Sequence, residues 1–395
     1  MDFRSDFARL KGFGADPDGG WSRLAFSAAD NQAHDWLLAE ARAAGLGARY
    51  DAFGNAILRL EGRGPKFLIG SHLDSVQRGG AFDGAIGVLA GLSVLKQLKA
   101  EGWQGRAIEV IAFRDEEGRF GPFTGSRAMA GLHDEAALAR ARAADGTELA
   151  PLMQAAGFTP ANAPYDFSDV AFYLELHIEQ GPVLEAAGIP LGLVTAIAGQ
   201  ERLALRFTGQ ADHAGTAPMD LRRDALAGAA RFATEFRAMI RAANDPDLRG
   251  TIGVFSVAPN QGNVVPGEVR LGLELRGPDG GQLLALRGAV EQLAESVATD
   301  EKLDLRIRRV YSDQPVPMDA TLAAAMSAAA KSEGVATCEL LSGANHDAGI
   351  IGRIVHALML FVPSVGGRSH CPEEESDLAH IEAAIRVMLR MLRQV

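Results

Sequence analysis

Five side chains of metal-binding type, His72, Asp83, Glu117, His177 and His370, stand in Gly-rich or carboxylate-rich motifs, and most of them close an apolar, strand-like run. Imidazole nitrogens and carboxylate oxygens are the donors from which zinc, manganese, cobalt and nickel sites are made. A set this large can serve two ions, and paired ions of this kind activate water for hydrolysis. In IGSHLDSV a buried strand delivers His72 at its C-terminal end, and Asp74 follows two residues on. On an extended chain that spacing puts both side chains on one side, so the Asp74 carboxylate is expected to accept the second N–H of the imidazole and fix its tautomer. GGAFDGAIG sets Asp83 at the mouth of a helix among glycines, where the ordinary role of an Asp is to cap.

FRDEEGRFG carries three successive carboxylates, Asp115, Glu116 and Glu117, after another buried strand. Like charges packed together cost energy unless something positive lies among them, and a metal pair would supply it. Glu116 and Glu117 can then divide the roles of base and ligand. VAFYLELHIEQG places Glu175, His177 and Glu179 at period two, hence on one side of an otherwise hydrophobic strand. In VGGRSHCPEEES, His370 sits in a loop with Glu373, Glu374 and Glu375 close by to orient it. Taken singly, each motif has a plain structural reading, such as a strand-end histidine, a cap or a solvated turn. The coincidence of all five points to metal.

The elements that must position these groups follow from periodicity. A chain of 395 residues, 47% of them hydrophobic, exceeds what one core usually holds, so two domains are expected. In the first half, buried strands (KFLIGSH, AIEVIAF, VAFYLELHI) alternate with amphipathic segments, the pattern of a sheet covered by helices on both faces. After about residue 200 the strands alternate polar and apolar (ERLALRFTG, GTIGVFSV, VRLGLELR, LDLRIRRV), and two helical stretches near 218–243 and 280–299 lie among them. That is an α+β layer with one sheet face exposed. From about residue 318 the first character returns. The expectation is an α/β fold: a discontinuous α/β/α catalytic domain, residues 1–205 and 317–395, with an inserted α+β lid and dimerisation domain at 206–316.

A net charge of −11 and the absence of a Lys/Arg-rich run argue against nucleic acid and an anionic membrane as partners. No apolar stretch is long enough to span a bilayer, and the charged N-terminal segment is expected to be neither signal peptide nor anchor. Two cysteines, Cys338 and Cys371, fit a reducing cytoplasm.

The motifs GSHLDSV, GGAFDGAIGV, DEEGRF, GSRAMAG, ELHIEQGPVLE, HAGTAPMDLRRDA, NVVPGEV, LELR, SGANHDA and VPSVGGRSHCPEE, in this order, resemble the series of the hydantoinase/carbamoylase amidases. That group includes N-carbamoyl-L-amino-acid hydrolases, allantoate amidohydrolases and β-ureidopropionases, within the aminoacylase and carboxypeptidase-type metallopeptidases. Related peptidases usually carry an acidic ligand at the position of His177, so the HIEQG form points to ureido substrates. The resemblance implies two divalent ions per subunit (Zn, Mn, Co or Ni), one held by His72, Asp83 and His177 and the other by Asp83, Glu117 and His370. It makes Glu116 the general base, with Asp74 and His213 as catalytic partners. Gln180, His213, Asn263, Arg276, Gly366 and Gly367 would bind a small carboxylate substrate with a ureido or amide group. It further implies a homodimer through the lid, in which His213 reaches the partner's site. Asn345 and Asp212 stand where the family more often has Gly and Asn. An aminoacylase or small-peptide metallopeptidase, and a non-catalytic binding protein on the same scaffold, remain as alternatives.

Overall fold

The computed structural model describes residues 3–395. Two compact units emerge, one running to Thr195 and resuming over Met318–Val395, the other spanning Ala196–Pro317. The first boundary falls before the strand Gly199–Thr208, not at 205/206. That strand is flanked by two others in the second unit's own four-stranded sheet, so its pairing assigns it there.

The first unit is built on a mixed sheet in the order Gly47–Tyr50, Ala56–Leu60, Ile108–Phe113, Lys66–His72, Val170–Ile178, Ala357–Val362, Leu191–Ile197, with Thr337–Ser342 on the last. Its four central strands are parallel: Lys66–His72 pairs in parallel with both Ile108–Phe113 and Val170–Ile178, which pairs in parallel with Ala357–Val362. IEVIAF and ALMLFV are buried at every position, as expected where helices cover both faces. Ala85–Ala100 is so apolar because it packs on these strands and beside Leu378–Leu392 at once. The Leu378–Leu392 helix begins at Asp377, whose carboxylate accepts the Ala379 N–H. It buries Ile381, Ile385, Met388 and Leu392 on one stripe.

Parallel strands share a direction, so all four central strands release their chains at one edge of the sheet. His72 pairs with Phe113, and Phe361 with His177, which puts the chain segments carrying the sequence-predicted ligands at that edge. Open α/β sheets place their ligand sites there.

The second unit is an antiparallel sheet in the order Asp304–Asp313, Gly199–Thr208, Glu268–Gly277, Arg249–Ala258. One face packs Leu203, Leu205, Phe207, Leu271, Leu273 and Leu275 against Phe232, Phe236 and Val290 of the helices Ala225–Ala242 and Gly280–Asp300. The first of these helices starts later than its periodicity suggests. Asp224 caps it through the Leu226 and Ala227 N–H groups, while residues after Pro218 form a separate short 3-10 turn. No helix among the described residues is long and apolar enough to cross a membrane.

Candidate metal centre

His72 closes its strand with 1% of its surface exposed, and its Nδ1 lies 3.0 Å from the backbone carbonyl of Asp74. His177, wholly buried, has Nδ1 2.9 Å from the Ile178 carbonyl. A carbonyl only accepts, so each ring donates through Nδ1 and turns Nε2 inward, where His177 Nε2 accepts the Gly84 N–H at 3.1 Å. Both Nε2 atoms face one oxygen, Asp83 Oδ1, at 3.4 and 3.0 Å. A nitrogen lone pair turned toward a carboxylate repels it unless a proton or a metal cation lies between them. Among the described residues His72 Nε2 has no hydrogen-bond partner, nor does Glu117 Oε1, although both atoms are buried. The protein leaves acceptors without donors here, which is what a divalent cation needs.

Asp83 does not cap its helix. The cap position is Gly84, with φ of 63° and no side-chain bond, and a Cβ there would come within 2.3 Å of His72 Nε2. Only glycine lets the helix begin this close to the imidazole. The second Asp83 oxygen, Oδ2, lies 3.3 Å from His370 Nε2, which is 3.5 Å from Glu117 Oε2. Ligand atoms of His72, Asp83 and His177 fall within 4.8 Å of one another, as do those of Asp83, Glu117 and His370. One carboxylate is therefore common to two donor sets, with a separate oxygen for each. Glu116 Oε2 is 3.5 Å from His72 Nε2.

Electrostatics follow from burial. Among the protein groups alone, burial and then its neighbouring carboxylates push Glu116 well above the usual carboxylate range, against the pull of His72. Glu117 is raised to about 7, by burial first and Asp83 next. His370 is raised to about 9, chiefly by its bond to Asp83. With no ion present, burial disfavours charge on Asp83, but His177, His370 and His72 in their protonated forms outweigh it and hold that carboxyl well below its ordinary value.

Residues 68–394 match the model of peptidase family M20/M25/M40. The chain is 37% identical over 391 residues to an allantoate amidohydrolase of Bacillus subtilis, covering 97% of this chain and 94% of that one. It is 40% identical over 373 residues to an N-carbamoyl-L-amino acid amidohydrolase of Geobacillus stearothermophilus, covering 92% and 90%. The chain belongs to peptidase family M20/M25/M40. Within this family it groups with the hydantoinase/carbamoylase amidases. The crystal structure of such an amidase from Burkholderia multivorans aligns with a TM-score of 0.93 at 34% identity, covering 99% of this chain and 96% of that one.

Several expectations for this M20-family chain need correction. The Asp74 carboxylate lies 3.7 Å from His72 Nδ1, and the imidazole is served by the Asp74 backbone carbonyl instead. Its carboxylate oxygens accept the N–H groups of Glu116 (3.3 Å) and Glu117 (3.2 Å), so Asp74 holds the turn that carries both glutamates. Asp115 turns away from the cluster in a left-handed conformation and accepts from Thr124 Oγ1 (2.7 Å) and the Phe120 N–H. Glu179 lies past the strand's end and caps the helix Val183–Ala187 through the Val183 and Leu184 N–H groups. Gln180 does reach the centre, with Nε2 2.7 Å from Asp83 Oδ2. Gly366 and Gly367 form a turn just before His370, and Gly367 packs on the Gly181–Pro182 backbone next to Gln180.

His346 was missed as a site residue. Its ring stands edge-on to His177 at 4.4 Å between centroids, 2% exposed, and its Nε2 has no partner. Burial, then the neighbouring His177, keeps it well below the ordinary imidazole value and so neutral. Glu175 beside it accepts from Ser71 Oγ, Tyr173 OH and the Ala348 N–H, tying the central strand to the His346–Asp347 turn. The His-Asp pair in SGANHDA was the available signal.

In the second unit, His213 is exposed on a short strand paired with Val264–Val265, and the Asn263 carbonyl accepts the Ala214 N–H. Arg276 lies at the opposite end of its sheet, where its Nε donates to Glu274.

Proposed function

We propose that this chain hydrolyses the ureido C–N bond of an N-carbamoyl-L-amino acid or a related ureido acid of the allantoate class, releasing the amine, ammonia and carbon dioxide. The observation that carries the reading is the Asp83 carboxylate shared by two donor sets, with His72 Nε2 and His177 Nε2 both turned toward one of its oxygens. His72, Asp83 and His177 would hold one divalent ion, and Asp83, Glu117 and His370 the other, drawn from zinc, manganese, cobalt or nickel. When bound, such a pair acidifies a water and polarises a carbonyl.

The chain's own groups do the remaining work. Glu116, beside His72 and raised by burial, accepts the proton of the attacking water and returns it to the departing amine nitrogen. The carbamate half then falls to ammonia and carbon dioxide, so one water balances the cleavage. Asp74 keeps Glu116 in register through its backbone N–H. The relatives named for allantoate and N-carbamoyl-L-amino acids support the substrate class. Arg276 is assigned to the substrate carboxylate, where a guanidinium offers two parallel bonds. Gln180, Gly366, Gly367 and Asn263 are assigned to the substrate's polar atoms, and His213 to the substrate and its developing oxyanion.

The roles of His213, Asn263 and Arg276 together point to a second copy of the chain. His213 and Asn263 lie beyond the Thr208/Glu268 end of the sheet and Arg276 near the Gly199/Gly277 end, eight strand steps or roughly 26 Å away. One small substrate cannot touch both ends within one chain, so a homodimer through the inserted unit supplies the set from two. The unpaired thiols Cys338 and Cys371 support the cytoplasm as its compartment.

The test is a panel of N-carbamoyl amino acids, allantoate, acylated amino acids and dipeptides, assayed after chelation and after adding back each metal. Ureide hydrolysis should vanish with chelator and return with metal. Full activity without metal, or faster cleavage of acylated substrates or peptides, overturns the reading. Undiminished activity from protein that sediments as a monomer overturns the shared site.

A further inference from the structure

We propose that Glu374 is a positioning residue that clamps Asp83 and His370 into one ligand pair, and so governs how tightly the Asp83–Glu117–His370 set holds its cation. The inference rests on the two-ion reading above. Glu374 is only 4% exposed, and each of its oxygens serves a different loop. Oε1 accepts the backbone N–H groups of Phe82 and Asp83, both at 3.0 Å. Oε2 accepts the His370 N–H at 3.3 Å and lies 2.9 Å from the Ser369 hydroxyl, which is also 2.9 Å from Asp83 Oδ2. One carboxylate thus joins segments nearly 300 positions apart in sequence at the two residues that face each other across the candidate site.

The chain is shaped around this clamp. A Cβ on Gly80 would fall on the Glu374 carboxylate, so the Gly79-Gly80 stretch admits the side chain into the Asp83 loop. His370 adopts a left-handed conformation, with φ of 56°, and the bond from its N–H to Glu374 helps hold it there. His72 and His177 are oriented by other groups, the carbonyls of Asp74 and Ile178. Loss of the clamp should therefore act most on the Asp83–Glu117–His370 set, which loses the support of two ligands, and less on the other, which loses that of Asp83 alone; a general packing role would not make that distinction.

The experiment uses the full-length protein, stripped with chelator and titrated with Co²⁺ by calorimetry and visible absorption. Wild type is compared with Glu374→Ala, Glu374→Gln and the control Glu373→Gln, whose carboxylate is exposed and pairs with Arg368. Wild type and the control should take up two ions. Glu374→Ala should weaken one of the two binding steps about 10–100-fold, the range for removing a group that orients a ligand, and the other clearly less. Glu374→Gln should fall between, because its amide oxygen can still serve the Asp83 loop while its NH₂ cannot accept the His370 N–H. Equal weakening of both steps, no weakening, or a Glu374→Gln loss explained by a lower melting temperature of the stripped protein overturns the proposal. Uptake of fewer than two ions by wild type overturns both this inference and the two-ion reading, and is read before any variant.

Discussion

In the first unit the carboxylates of Asp74, Asp83, Asp115, Glu116 and Glu374 are buried without any lysine or arginine bonded to them, and meet histidines, hydroxyls or backbone N–H groups instead. In the second unit the core is apolar, and Glu201, which is buried, is met by Arg287 at 2.9 Å and by Ser312. On the open face of that sheet Arg202 pairs with Glu274, and Arg270 with Glu268. Elsewhere in the first unit buried carboxylates also find cations, as Asp30 does in Arg114 and Glu109 in Arg59. A buried carboxylate without a basic side chain is costly, so a cluster of them marks the place where the fold waits for a cation from outside. The second unit makes no such demand and is held by ordinary hydrophobic burial.

That contrast can be broken by substitution. Glu116→Gln should keep metal uptake but lower turnover by about 10²–10⁴-fold, because an amide cannot accept the water's proton. Near-normal turnover in steady-state assays would remove Glu116 from the reaction. Phe232→Ala, deep in the second unit's core, should cost about 3–5 kcal/mol in denaturant unfolding and leave the number of bound metal ions unchanged. A change in metal stoichiometry there would mean that metal binding is not confined to the first unit as argued.

The smallest effect is on pH. Metal ligands bind deprotonated, and His370 is raised to about 9 and Glu117 to about 7. Apparent affinity for an ion at that set should therefore climb as pH rises from 7 to 9 and level off above, by at most about tenfold per pH unit for each proton displaced. A flat calorimetric profile over that window would show that neither group binds the ion.

Much of this was legible in the sequence because it depends on period. The continuous apolar runs KFLIGSH and IEVIAF announce strands covered on both faces, and VRLGLELR announces one with a polar face. The same reasoning failed where spacing stood in for contact. Period two put Glu175, His177 and Glu179 on one side, yet Glu175 is tied up by Ser71, Tyr173 and Ala348, and Glu179 caps a helix. Likewise the i+2 spacing brought Asp74 near His72, but the backbone carbonyl accepts the imidazole N–H.

By itself the sequence determined the donor types, the α/β architecture with its α+β insertion and the membership of a ligand kit, because these follow from local pattern and side-chain chemistry. Only the tertiary structure decided that Asp83 offers one oxygen to each donor set, that His346 stands against His177, and that Glu374 joins Asp83 to His370. Those relations depend on the parallel register of strands from distant parts of the chain, and register is set by the packing of the whole core, which no local run of residues encodes.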